Sequence, residues 1–105
     1  MRKNNVEVEK EQEIKATPSP WDVGKVYTTC QDLYIWNEAG KEKAAYDNIP
    51  EEVKEFAFED DFGQAILNTG ARVAVEEVKE IRGALWIKAP FGWICGKNPK
   101  ITYVS

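Results

Sequence analysis

From Lys25 onward the sequence is cut into short runs of β-branched and aromatic residues separated by glycine, proline and asparagine, and this punctuation leaves little room for a long helix. The runs are Lys25 to Thr29, Leu33 to Trp36, Arg72 to Val78, Ala84 to Ala89, Gly92 to Cys95 and Ile101 to Val104. Between them fall Gly40, Gly70, Gly83, Pro90 with Gly92, and Asn98-Pro99. Small β-sandwiches and barrels read this way, so the chain is expected to be mainly β. One stretch departs from the pattern. Pro50-Glu51-Glu52-Val53-Lys54-Glu55-Phe56 opens on proline followed by carboxylates, which suit the positive end of a helix dipole, and it predicts one short helix over residues 50 to 57.

Successive side chains of a strand point to opposite faces of its sheet, so alternation assigns each run an inside and an outside. In Leu33-Tyr34-Ile35-Trp36 the two aliphatics make one face, which leaves Tyr34 and Trp36 on the other. In Ala84-Leu85-Trp86-Ile87-Lys88, Leu85 and Ile87 face the core and Trp86 shares the outer face with Lys88. In Trp93-Ile94-Cys95, Ile94 is the core residue and Trp93 points outward. Three runs therefore carry a large aromatic where a polar residue is expected. Tyr34, Trp36, Trp86, Trp93 and Lys88 are the candidate ligand-binding residues, because rigid aromatic faces bury large areas at little entropic cost. The alternative for each ring, Trp93 above all, is to close an end of the fold.

The first 20 residues differ from the rest. They carry four basic and four acidic side chains with sparse aliphatics and end on Thr17-Pro18-Ser19-Pro20, which reads as a charged, disordered or extended tail and a stiff linker. Val6, Val8 and Ile14 keep no helical period, and a frayed helical turn or an added strand both stay open. The tail is either a solubilising leader or a docking segment. The remaining residues, 21–105, suffice for one domain with a modest core. No window has the apolar length of a membrane span, and MRKNNVEVEKEQEIK lacks the apolar region of a secretory signal, so a chain made and left in the cytoplasm is expected.

The formal net charge of −4 falls entirely in the domain, and its basic residues are single and flanked by carboxylates, as in Glu76-Glu77-Val78-Lys79-Glu80. Nucleic acid is not an expected partner, since a phosphate backbone is engaged by clustered Lys and Arg. The chain has no histidine and two cysteines, Cys30 and Cys95, without metal-ligand spacing. No metal or other cofactor is expected, and the two thiols read as small buried hydrophobes, with a disulfide between them geometrically open. Without histidine there is no Ser-His or Cys-His pair, and the carboxylates sit in charged stretches with no cause for a raised pKa, so catalysis is not expected. Asp60-Asp61 before Gly63 lacks the alternating oxygens of a calcium loop. With Glu51, Glu52, Glu55 and Glu59 these aspartates form a solvated acidic stretch or a partner-facing patch.

The order of motifs from Thr69-Gly70-Ala71-Arg72-Val73-Ala74-Val75 through Leu85-Trp86-Ile87-Lys88 to Gly92-Trp93-Ile94 resembles the bacterial SH3 domain. Val23-Gly24-Lys25-Val26-Tyr27-Thr28 and Ile49-Pro50-Glu51-Glu52-Val53-Lys54 look more narrowly like the SH3-like domains at the C-termini of phage and prophage lysins from Gram-positive hosts. The likeness covers residues 21–105. It implies a small SH3-like β-barrel that holds a wall-cleaving enzyme on peptidoglycan by gripping peptide or cross-bridge elements, and a phage-encoded product released to the wall on lysis. Two positions depart from the family. Its Leu-x-Val-Arg strand is Leu33-Tyr34-Ile35-Trp36 here, so tryptophan replaces arginine, and the Gly-rich turn that follows is Asn37-Glu38-Ala39-Gly40. No catalytic domain accompanies the barrel in this sequence. The expected partner is therefore a peptidoglycan peptide or, alternatively, a host or virion protein bound by an accessory module.

Overall fold

The computed structural model describes residues 19–105. The tail expected over residues 1–20 lies outside that span up to residue 18. The fold is mainly β with one short helix. Ten strands follow in order: β1 (Val26–Thr28), β2 (Leu33–Tyr34), β3 (Trp36–Glu38), β4 (Glu42–Lys43), β5 (Ala57–Glu59), β6 (Ala65–Leu67), β7 (Arg72–Ala74), β8 (Glu77–Ile81), β9 (Ala84–Ala89) and β10 (Gly92–Lys97). A 3-10 turn at Tyr46–Asn48 and a helix, α1, at Glu51–Lys54 join β4 to β5.

The strands form three antiparallel sheets, β1-β7, β4-β3-β10-β9-β8 and β2-β6-β5, which share one core. Bridges between Thr29 and Val104, Ala45 and Gln64, and Lys97 and Thr102 supplement the sheet pairing. Ile35, Ala65, Val73, Ile87, Ala89, Ile94 and Val104 have no exposed surface, and Leu33 and Leu67 close around them. Each fully buried Ile, Leu or Val contributes about 1.5–3 kcal/mol relative to leaving it in water. The aliphatic faces expected of the runs Leu33–Ile35, Ile87 and Ile94 are thus the core faces, while Leu85 packs against the core from a half-buried position.

Trp21 is the first side chain to enter this core. It is 3% exposed, and its indole Nε1 donates to the Val104 carbonyl at 2.8 Å. Its ring lies against Gly96: a Cβ there would come within 2.5 Å of the Trp21 ring and 2.8 Å of Ile87, so only glycine fits. Gly96 also falls where the β9-β10 register shifts, between Cys95 and Lys97. A bulge and a close approach therefore meet at one glycine.

Several expectations are corrected by tertiary pairing. The helix is one turn, not residues 50–57, because Ala57 and Phe58 pair with Leu67 and Ile66 of β6, and Pro50 caps it in extended conformation instead of starting it. The run Leu33–Trp36 splits at Ile35, whose N–H bonds to Ala65 while its carbonyl bonds to Ala44, so Tyr34 and Trp36 belong to different sheets. Arg72–Val78 splits likewise at a corner, where Val75 donates to Lys25 and Glu76 donates to Lys88. Ile101–Val104 is not a strand but a segment held by two bridges.

The cysteines are neither buried nor bonded to each other. Cys30 is exposed, Cys95 is partly exposed, and both are free. Cys30 faces out because its neighbour Thr29 faces in. The Thr29 hydroxyl donates to the Asn68 carbonyl at 2.7 Å and accepts the Ala71 N–H at 3.0 Å, so a polar residue satisfied by backbone takes the inner position.

Candidate functional site

The outer face of the five-stranded sheet is where the sequence-predicted residues gather. Trp93 on β10 lies opposite Trp36 on β3 and Lys88 on β9, and Lys43 and Glu77 extend the same row on β4 and β8. The next row on that face holds Cys95, Trp86 and Lys79. Directly opposed residues share a face, so three indoles and three lysines are arrayed on one surface by strand register alone.

The rings and ammonium groups pack in pairs. Trp36 and Trp86 meet edge to face, with centroids 5.3 Å apart and planes at 85°, a geometry worth about 0.5–1.5 kcal/mol beyond area burial. Lys43 Nζ lies 3.8 Å from the centroid of Tyr34 and 5.4 Å from that of Trp36, and so bridges the sheet break at Ile35. Lys79 Nζ lies 4.8 Å from the Trp93 ring. Such contacts contribute about 0.5–1 kcal/mol at exposed sites. Lys88 reaches Glu76 instead, at 3.4 Å.

Trp86 occupies a different environment from the one expected. It is on the outer face but only 8% exposed. Trp36 covers it on one side, and the β3-β4 turn lies at its rim, where a Cβ on Gly40 would stand 3.8 Å from both the Trp86 ring and the Ile81 side chain. Its role in the site is to support Trp36. Tyr34, Trp36, Trp93 and Lys88 keep accessible surface.

A cleft of about 350 Å³ opens beside these rings, lined by Tyr34, Trp36, Trp86, Cys95 and Tyr103 with Asp32 at its margin. Its polar groups are held in place from behind. Asp32 Oδ1 accepts both the hydroxyl and the N–H of Thr69 at 2.8 Å, and these bonds lower its pKa. The Tyr103 hydroxyl accepts from Asn98 Nδ2 at 2.8 Å. Burial pushes the Cys95 thiol up, away from the thiolate a nucleophile needs.

At the Tyr34 end the site is anchored by Asp60. Its Oδ1 accepts the N–H groups of Phe62 and Gln64, and its Oδ2 accepts the Tyr34 hydroxyl, all at 2.8 Å. The Gln64 amide first, then the Tyr34 hydroxyl, the Phe62 amide and the Lys43 ammonium hold this carboxyl below its ordinary value, while the same hydrogen bond raises the Tyr34 phenol. Asp60 therefore serves as a turn and a strut, apart from the acidic stretch to which its sequence neighbours assign it. Glu51, Glu52, Glu55, Glu59 and Asp61 are exposed.

Lys43, Lys79 and Tyr103 join the site without a signal that marks them as binding residues in the sequence, and Asp60 and Cys95 join it in roles other than the acidic stretch and the buried thiol expected of them. A hairpin around Gly40 would have set Lys43 opposite Trp36, and continuing the run that ends at Val78 by one residue would have placed Lys79 beside Trp86. Tyr103 and Asp60 arrive through loop conformations that no periodicity signals. In comparison with known proteins, no family model, no curated protein and no solved structure matches the chain.

Proposed function

We propose that this is a non-catalytic, SH3-like binding module that recognises bacterial cell-wall peptide through the outer face of its five-stranded sheet. The observation that carries the reading is the half-buried Trp36-Trp93 pair on the outer face, flanked by Lys43, Lys79 and Lys88 and continued by Tyr34 into a cleft of about 350 Å³. Flat apolar rings beside fixed cations suit a ligand that alternates short apolar side chains with carboxylates, as wall stem peptides do. The lack of histidine and the raised Cys95 thiol favour binding over covalent chemistry. The resemblance to lysin SH3-like domains supports the same ligand class.

The test is co-sedimentation of the purified protein with peptidoglycan sacculi from several Gram-positive species, beside Trp36→Ala and Trp93→Ala variants. Retention of the parent protein and its loss by at least about tenfold in each variant is expected, as for residues that anchor an interface. Trp86 is a poor choice for this experiment, since truncating a buried indole costs about 3–5 kcal/mol of stability and would confound the result. Failure to sediment with any sacculus would overturn the wall reading.

A second reading, an accessory that binds a host or virion protein, rests on a different surface. Phe62 at the tip of the β5-β6 hairpin is 86% exposed beside Asp60 and Asp61, and Phe58 on the same hairpin is 39% exposed. Exposed phenylalanines on a hairpin tip suit a protein partner. Loss of a pulled-down protein on Phe62→Ser, with sacculus binding absent throughout, would favour it.

A further inference from the structure

A second groove, of about 410 Å³, shares no lining residue with the aromatic cleft. Apart from Glu52 on the helix side and Arg72 on the strand side, its walls are apolar: Val53, Phe56, Leu67, Ala71, Pro90 and Phe91, with Phe56 55% exposed. Strand β7 borders it through Arg72 and Ala74. Val75 donates to Lys25, and Thr29 donates to Ala71, so the odd-numbered residues of this stretch exchange bonds with β1. The N–H and C=O groups of Arg72 and Ala74 consequently point the other way, and β7 has no second strand beside it among the described residues. The groove is thus an apolar trough with a vacant strand edge along one side, the arrangement that takes up an extended peptide: main-chain bonds hold it, and alternate side chains enter the trough.

We propose that residues 6–9 of this same chain occupy the groove as an added strand, with Val6 and Val8 in the trough and Glu7 and Glu9 facing out. The sequence Val-Glu-Val-Glu has the two-residue alternation that a half-buried strand requires. The described chain starts at Ser19, and Gly24 already donates to the Val75 carbonyl at 2.8 Å, next to the end of β7. The eleven residue-to-residue steps from Val8 to Ser19 reach up to roughly 36 Å when extended, well beyond the length of β7. Charge agrees as well: Arg72 is exposed and makes no ion pair among the described residues, and the segment offers Glu7 and Glu9 on either side of Val8.

The experiment is amide hydrogen exchange on the full chain, read at Arg72 and Ala74, beside a V6D/V8D double variant. Both amides should exchange at least about tenfold more slowly than solvent-exposed amides in the parent and lose that protection in the variant, while Ile87 and Ile94 stay protected in both as a check on the fold. Unprotected Arg72 and Ala74 amides in the parent would overturn the proposal, as would protection that survives V6D/V8D. Protection that rises with protein concentration would assign the groove to a second copy and overturn it too.

Discussion

Asp60 does at the scale of one residue what a longer loop would otherwise have to do. Its carboxylate closes the β5-β6 turn through two backbone amides and holds the ring that opens the aromatic cleft through the Tyr34 hydroxyl. The folded-state pKa is lowered, so the stability tied to this group is fully present above the ordinary value of 3.8 and is lost as pH falls through the lowered folded value. Tyr34→Phe removes one of the three donors and should move the Asp60 midpoint upward toward 3.8, which an NMR titration of its carboxyl carbon would detect. An unchanged midpoint would mean that the hydroxyl contributes nothing to holding the charge. The same variant leaves the Lys43 contact with the ring in place, so it separates the strut from the cation–π pair.

At the scale of elements, the β8-β9 hairpin shows how local chemistry and register cooperate, and where they conflict. Its two-residue loop, Arg82-Gly83, has φ of 51° and 85°, the double left-handed combination that matches the twist of the flanking strands. Glycine takes that conformation freely, whereas arginine takes it at a cost. Arg82→Asn should therefore stabilise the domain by up to about 1 kcal/mol, seen as a rise in the thermal midpoint of a few degrees by circular dichroism. A fall would show that the Arg82 side chain makes up the difference. The second strand of this hairpin is the most legible part of the sequence, since Gly83 marks the turn and the run Ala84–Ala89 coincides with β9, whereas β8 extends beyond the expected end at Val78 to Ile81. Alternation also places Ile87 and Ile94 inside and puts Trp86, Trp93 and Lys88 on one surface, because a period of two survives wherever a strand is long enough to express it, whereas Trp36 joins them through its register with Trp93. The two-residue and three-residue strands β4, β5 and β6 went unread, since runs that short carry no period and are defined only by their partners. Trp86 shows the other limit. Alternation gives the face of a side chain but not what lies over it, and the β3-β4 turn that covers its ring comes from more than forty positions earlier in the chain.

At the scale of the whole molecule, the two ends of the described domain are tied together. The Trp21 indole bonds to Val104, Thr28 and Ser105 exchange both backbone bonds, and Cys30 donates to Tyr103. Trp21→Phe keeps most of the buried ring but leaves the fully buried Val104 carbonyl without its donor, and should cost about 1–3 kcal/mol in chemical denaturation. A loss below about 0.5 kcal/mol would show that the ring alone, and not the bond, closes the ends. The ladder between β1 and the C-terminal residues runs antiparallel with its outermost pair nearest the chain end. A pulling force applied between the two ends would therefore open it like a zipper, one bond at a time. The same force applied between the N-terminal end and a ligand on the aromatic face would bypass the C-terminal residues and enter the structure through Trp21, which is wedged against Gly96 on the strand that also carries Trp93. Mechanically, the fold is weak between its own ends and braced between its N-terminal end and its aromatic sheet.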